Sequence, residues 1–266
     1  MNALLVRTIL VLHGLTESHL DVAGLAHRLS VTFPDRHVEA LSFYDNKESW
    51  MPMIEQVAAF RDILAECDPP CDVVAHSQGA LIARSAAQFV PVGNMISLAG
   101  PQCGIIRIPE SELPASLGWL ADVSQMYGYA IFYQQSVQSR LSIANYWRDV
   151  DNNYLEKNVF LPYANGEVDG NSSNLIRAEN FTLAIGKNDG VLYPYETAIF
   201  GCCTSQGCAE ITSLIQSDVL WKNDKIGLRK LQENGRLHVI IFDNAVHGAW
   251  LSDDELFQEV IVPALI

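Results

Sequence analysis

The chain is short of positive charge: its 266 residues carry 17 Lys and Arg against 31 Asp and Glu, a formal net charge of −14. Such a surface repels phosphate backbones, so no nucleic-acid partner is expected. It also gains no electrostatic help at an anionic membrane. Nor does the chain contain an apolar run near the roughly 20 residues needed to cross a bilayer, so no transmembrane segment is expected. Internal repeats and low-complexity stretches are missing. Paired C-x-x-C spacing is missing too, which argues against zinc at Cys202, Cys203 and Cys208. No signal peptide is recognisable: the apolar run Ile9 to Leu12 leads straight into His13-Gly14 and reads as a first core strand.

What is present suits a globular protein. Hydrophobic residues make up 49% and charged residues 18% of the chain, enough for one large domain spanning 1–266 with a full core. Two features favour the secretory pathway. Six cysteines (Cys67, Cys71, Cys103, Cys202, Cys203, Cys208) suffice for disulfides. Asn171-Ser172-Ser173 and Asn180-Phe181-Thr182 are candidate glycosylation sequons.

One stretch organises the rest. Asp72-Val73-Val74-Ala75-His76 reads as a buried strand, and Gly79-Ala80 with Ala83 and Ala86-Ala87 reads as a helix packed hard on a sheet. Ser77 sits at the join. A serine on so tight a strand-to-helix turn has an exposed hydroxyl, and the N–H of the next residue points where an oxyanion would form. Ala75 and Gly79 supply the small residues that the turn requires.

Around this turn, strands alternate with helices. Strands are expected at Val6 to Leu12, His37 to Tyr44, Val92 to Ala99, Asn180 to Gly186 and Leu237 to Phe242. Helices are expected at Leu20 to Leu29, through Met53, Val57, Phe60 and Leu64, after Ser77, over Asp224 to Leu231, and from about Asp253. This rhythm predicts a mostly parallel sheet covered by helices on both faces. It breaks between 102 and 178, where prolines and aromatics suggest a mostly helical insertion over the C-terminal edge of the strands, with helices within Ala121 to Arg140. Gly201 to Cys208 reads as irregular.

A serine nucleophile needs a base, itself oriented by an acid, each from a loop at a strand's C-terminal end. His247 follows the last strand, whereas His238 lies inside it with its side chain expected against a helix layer. Asp189, directly after the strand ending at Gly186, is the favoured acid; Asp243 is the alternative. The oxyanion hole would take the N–H groups of Gln78 and Leu15. Candidates for an acyl groove are Ile105, Ile106, Trp119, Trp147, Val191 and Leu192.

Segments with no general catalytic meaning extend the pattern: Ser97-Leu98-Ala99-Gly100-Pro101-Gln102, Asn145-Tyr146-Trp147-Arg148-Asp149, and Phe160-Leu161 with Asn165-Gly166-Glu167. Asn188-Asp189-Gly190-Val191, Phe200-Gly201, Asp224-Lys225-Ile226-Gly227-Leu228 and His247-Gly248-Ala249-Trp250 follow. With His13-Gly14-Leu15 and His76-Ser77-Gln78-Gly79, these resemble the palmitoyl-protein thioesterases, lysosomal α/β-hydrolases. The histidine loop is closer to the second branch of that family, which prefers shorter or less bulky acyl groups. The resemblance implies an α/β-hydrolase fold and cleavage of long-chain fatty acyl thioesters through an acyl-serine. It implies Ser77 as nucleophile, Asp189 as acid, His247 as base, and no metal or other cofactor. S-acylated proteins or peptides, or acyl-CoA, would be the substrates, with a lysosomal or secretory location and transient contact with a membrane surface. Two departures stand out. Thr16-Glu17 occupies the place where the family's loop often continues with glycine and aspartate, and the cysteines do not match one for one. An oxygen-ester lipase or esterase on the same fold is the competing expectation. A non-catalytic lipid-binding protein is a third, disfavoured because Ser77, Asp189 and His247 are all intact.

Overall fold

The computed structural model describes residues 6–108, 130–149, 154–168, 175–205 and 208–266. Its centre is a six-stranded sheet: β1 (Ile9–Leu12), β2 (Val38–Ala40), β3 (Asp72–His76), β4 (Val92–Leu98), β5 (Ala178–Gly186) and β8 (Leu237–Phe242). The spatial order is β2-β1-β3-β4-β5-β8, and every pairing is parallel. In β1, β3 and β4 every residue is buried. Successive side chains point to opposite faces, so burial without alternation means that both faces are covered.

Three long helices supply much of that cover: α1 (His19–Thr32), α2 (Met53–Ala65) and α3 (Gln78–Ala86). α2 buries Met53, Val57, Phe60 and Leu64 at helical spacing, as its sequence requires. Helix α1 meets the C-terminal turns, where the Arg28 guanidinium lies 4.1 Å from the centre of the Phe257 ring.

Edge strands depart from expectation. β1 and β2 are shorter than their apolar runs, because β2 finds only three partners on β1 and has nothing beyond it. At the opposite edge, His238 and Val239 of β8 are exposed rather than packed under a helix layer. Within the stretch expected to be irregular, β6 (Cys202–Cys203) pairs antiparallel with β7 (Ile211–Thr212).

Between β4 and β5 the described residues include four single-turn helices: α4 (Gln135–Gln138), α5 (Ser142–Asn145), α6 (Tyr154–Lys157) and α7 (Leu161–Ala164). The helices expected within Ala121 to Arg140 lie partly outside the described residues. This segment is held by buried polar groups drawn from the sequence motifs that had no catalytic meaning. Arg148 grips Glu167 with two nitrogens at 2.8 and 3.1 Å, and the Tyr154 hydroxyl donates to the same carboxylate at 2.5 Å. Asn145 accepts from the Met53 N–H at 2.9 Å and donates to the Gln138 carbonyl at 2.8 Å, tying the segment to the start of α2. Arg84 of α3 is fully buried and donates to Gln102 Oε1, the carbonyls of Gln102 and Ala164, and Asn165 Oδ1. Burial pulls its pKa below the ordinary arginine value, against the fields of Tyr154 and Glu167.

All six cysteines pair: Cys67–Cys71, Cys103–Cys202 and Cys203–Cys208. The second closes 99 residues and fastens the root of the segment after β4 to the chain beyond Asp189. A loop of that size contributes about 4–5 kcal/mol on the chain-entropy account.

Replacing Arg84 with leucine removes four buried hydrogen bonds. It leaves Gln102 Oε1 and Asn165 Oδ1 without that donor, while the Ala164 and Gln102 carbonyls keep Gln88 and Asn165. The cost is about 1–3 kcal/mol for each buried acceptor left unpaired. Arg84→Leu is expected to lower stability by about 3 kcal/mol or more, read as a drop in urea midpoint at unchanged slope. A loss under about 1 kcal/mol would show that the network does not hold the segment.

Candidate active site

Ser77 lies between β3 and α3 with φ 52 and ψ −126. A side chain at positive φ away from the left-handed helical well is strained, at about 1–3 kcal/mol. Tight neighbours hold it there. A Cβ on Gly14 would sit 2.8 Å from Ser77 Cβ, and one on Gly79 would collide with the His13 carbonyl. Only glycine lets the first-strand loop and the start of α3 approach the serine so closely.

Two residues beside the serine have free main-chain donors: Gln78 follows it, and Leu15 lines the same cavity. Among the described residues, neither the Gln78 nor the Leu15 N–H has an acceptor. Gln78 is fixed by its side chain, which donates to the Ser49 carbonyl at 2.7 Å. The same carbonyl accepts from Gln56 at 3.0 Å and Ser142 at 3.1 Å, while Ser49 Oγ accepts from the Thr16 N–H at 2.8 Å. Ser49 thus joins the loop after β1 to α2, α3 and α5, and nothing in its sequence surroundings signalled this.

His247 opens the turn after β8, and its Nδ1 lies 2.8 Å from Asp189 Oδ2. The other oxygen of Asp189 accepts from the Val191 and Leu192 N–H groups at 2.9 and 2.8 Å. Its carboxylate is therefore fully buried and fully satisfied. Asp243, the alternative acid, instead points to solvent with its side chain 77% exposed and pairs with Lys187 at 2.6 Å. Ser77 and His247 line one cavity of about 140 Å³. No hydrogen bond joins their side chains among the described residues; such contacts are often loose without substrate.

The loop between β1 and α1 is braced by carboxylates. Glu17 Oε2 accepts from the Gly14 N–H at 2.5 Å and lies 3.1 Å from His76 Nδ1. Burial would raise the Glu17 pKa, but the His76 charge and hydrogen bond and the Gly14 N–H bring it down to about 2. Asp45 lies 2.9 Å from His13 Nε2 and 2.5 Å from His19 Nδ1.

A profile of the palmitoyl protein thioesterase family matches residues 8–247. The chain belongs to that family. It is a thioester hydrolase on the α/β-hydrolase fold. Curated relatives include the human (Homo sapiens) lysosomal thioesterase PPT2, 29% identical over 97% of this chain and 88% of its own length. The Drosophila melanogaster PPT2 homolog is 26% identical over 97% of this chain and 92% of its own length. Palmitoyl-protein thioesterase 3 of Dictyostelium discoideum is 28% identical over 87% and 82%. The carboxylesterase CesB of Bacillus subtilis shares the fold at TM-score 0.54 and 14% identity, covering 98% of this chain and 84% of its own.

Of the acyl-groove candidates in this thioesterase, Ile105, Val191 and Leu192 line the cavity at Ser77, joined by Leu15, Ile108, Ile143 and Tyr146. Two candidates do not. Trp147 is 3% exposed and packs on Phe132 with ring centres 4.7 Å apart, so it is core. Ile106 is half-buried, with its N–H bonded to the Tyr193 carbonyl, and lies outside the lining. Trp119 lies outside the described residues. So does Asn171, whereas Asn180 sits within β5 with its amide donating to Asn94 at 2.8 Å.

Gly14→Ala is expected to push the first-strand loop off Ser77 and to cut thioester turnover about 10- to 100-fold, the scale of a misplacement near 1 Å. Steady-state hydrolysis by the folded variant is the check, and a wild-type rate would mean that this close approach is dispensable.

Proposed function

We propose that Ser77, His247 and Asp189 act as nucleophile, base and orienting acid, with the N–H groups of Gln78 and Leu15 as oxyanion donors. The carrying observation is the 2.8 Å contact from His247 Nδ1 to the buried Asp189, with His247 and Ser77 on one cavity. Asp189 holds the imidazole with Nδ1 protonated, which leaves Nε2 free to take the Ser77 proton. The serine oxygen then attacks the thioester carbonyl, and the developing oxyanion is met by two fixed N–H groups. Collapse expels a thiolate, which takes the proton from the His247 imidazolium and leaves as the thiol, and the acyl group stays on Ser77 as an ester. Water, losing a proton to His247, attacks that ester, and Ser77 recovers its hydrogen from the imidazolium. A thiolate leaves readily, so the first step needs little acid assistance.

The substrate class is a fatty acyl thioester on a cysteine of a protein or peptide, or on coenzyme A. The cavity bounded by described residues, about 140 Å³, falls below the roughly 300–1,000 Å³ of drug-sized pockets. This favours a short or slender acyl group, or a chain that runs on beyond these walls. The exposed side chains of Ile54, Phe89, Val159 and Tyr163 line a separate apolar groove of about 440 Å³, which supports transient contact with a lipid surface. A lysosomal or secretory location is supported by the names of the relatives and by three disulfides, which persist in oxidising compartments. We read 1–266 as one domain with its insertion at about 102–178.

Hydrolysis of a palmitoyl thioester and the oxygen ester of the same chain, with shorter acyl homologues beside them, tests this. Wild type is expected to prefer the thioester. Ser77→Ala should abolish turnover, and Asp189→Asn should lower it by several orders of magnitude while Asp243→Asn leaves it unchanged. Preference for the oxygen ester would move the protein to the lipase alternative. Full activity in Asp189→Asn would remove Asp189 from the triad.

A further inference from the structure

His76 stands immediately before the nucleophile and is 1% exposed. Its two ring nitrogens each face an acceptor. Nδ1 lies 3.1 Å from Glu17 Oε2, and Nε2 lies 3.1 Å from the main-chain carbonyl of His247. A carbonyl can only accept. The Glu17 oxygen already accepts from the Gly14 N–H at 2.5 Å, so it also serves as an acceptor. A neutral imidazole has one N–H and can satisfy only one of these contacts. Both are met by an imidazolium.

The contacts join three parts of the site. Glu17 belongs to the loop that carries the Leu15 N–H, His76 to the strand that ends at the serine, and the carbonyl to the catalytic histidine's own residue. The His76 and His247 rings lie 4.8 Å apart. We propose that Glu17 and His76, as a charged pair, are positioning residues that tie the oxyanion loop to the histidine loop, so that hydrolysis runs only while the His76 ring holds both protons. This rests on the triad reading given above and adds two residues to it.

The groups around the pair agree with this. Burial opposes charge on His76, but the Glu17 carboxylate's field and hydrogen bond, the His247 carbonyl and the field of Asp189 raise its pKa overall. His247 is the other titratable group facing Glu17. Further along the loop, His13 Nε2 lies 2.9 Å from Asp45 Oδ1 and its Nδ1 lies 2.9 Å from the Gly14 carbonyl oxygen. For His76, a raised folded-state pKa means that the pair's contribution is complete below the unfolded value of 6.5 and is lost as pH rises through the folded value. For Glu17, whose folded value is lowered to about 2, the contribution is present above the unfolded 4.5 and is lost as pH falls toward 2. The pair's contribution is therefore complete between about pH 4.5 and 6.5, and it fades as pH falls toward 2 or rises through the folded-state value of His76.

The test is the pH profile of kcat/KM on a palmitoyl-cysteine peptide for wild type, Glu17→Gln, Glu17→Asp, His76→Gln and Ser77→Ala. Glu17→Gln is expected to lose about 10- to 100-fold in kcat near pH 6 with KM little changed. Its alkaline limb should move down by about 1–3 pH units, the effect of one lost neighbouring charge. Glu17→Asp should keep the limb in place. His76→Gln should be slow and lack it, since glutamine does not titrate. Nitrogen NMR of the wild-type ring at pH 6 should show both His76 nitrogens protonated, a readout that needs no variant to fold. A singly protonated His76 ring, or a wild-type kcat and limb in Glu17→Gln, would overturn the proposal. If Ser77→Ala still hydrolyses the peptide, it is the triad reading that fails. If Ser77→Ala is inert while Glu17→Gln behaves as wild type, only the pair's role fails.

Discussion

A serine held at φ 52 is the constraint on which the rest of this structure depends. The conformation is unfavourable and persists only because its surroundings leave no alternative. β3 is paired on both sides by β1 and β4, which fixes the residue before it. The Ser77 N–H is bonded to the Leu98 carbonyl at 2.9 Å. Glycine at 14 and 79 then allows the first-strand loop to close over the turn without a collision. The opening of Ser77 to the cavity and the nearness of Leu15, which lines it too, follow from that one turn.

The strand order explains where the other parts come from. β1 lies between β2 and β3, so the chain leaves it toward one edge and returns on its other side. At such a reversal the loops after two adjacent strands diverge and leave a crevice at the carboxyl ends. Here those loops carry Leu15 and Ser77. Asp189 and His247 follow β5 and β8, which are paired neighbours, and so the acid and the histidine meet across one strand spacing. Asp243 follows β8 itself but turns outward to Lys187. An acid so near the histidine in sequence points away from it in space.

The segment between β4 and β5 shows a different kind of stability. Its described helices are single turns, too short to persist by themselves. Buried polar groups take over: Arg148 with Glu167 and Tyr154, Asn145 with Gln138 and α2, and Arg84 with four neutral acceptors. Such groups are costly to bury and costlier to leave half satisfied. Each of them therefore demands its partner, which is how motifs without catalytic chemistry fix walls of the cavity at Ser77.

Local pattern alone determined the alternation of strand and helix, the tight turn at Ser77, and Asp189 and His247 as the residues after two strand ends. Each is written in a short window: an apolar run, a small-residue spacing, a polar residue just beyond. The edges were harder to read. β8 carries the same apolar run as a central strand, and only its place at the end of the sheet exposes Val239 and Ile241. Trp147 looked like a groove residue because aromatics suit both lipid and core, and Phe132 decided for core. Ser49, and the Glu17–His76 contact across 59 positions, had no local sign at all. Short-range pattern fixes what the backbone does next, whereas hydrogen-bond partners far apart in sequence are chosen only when packing brings them together; the tertiary structure alone decided those.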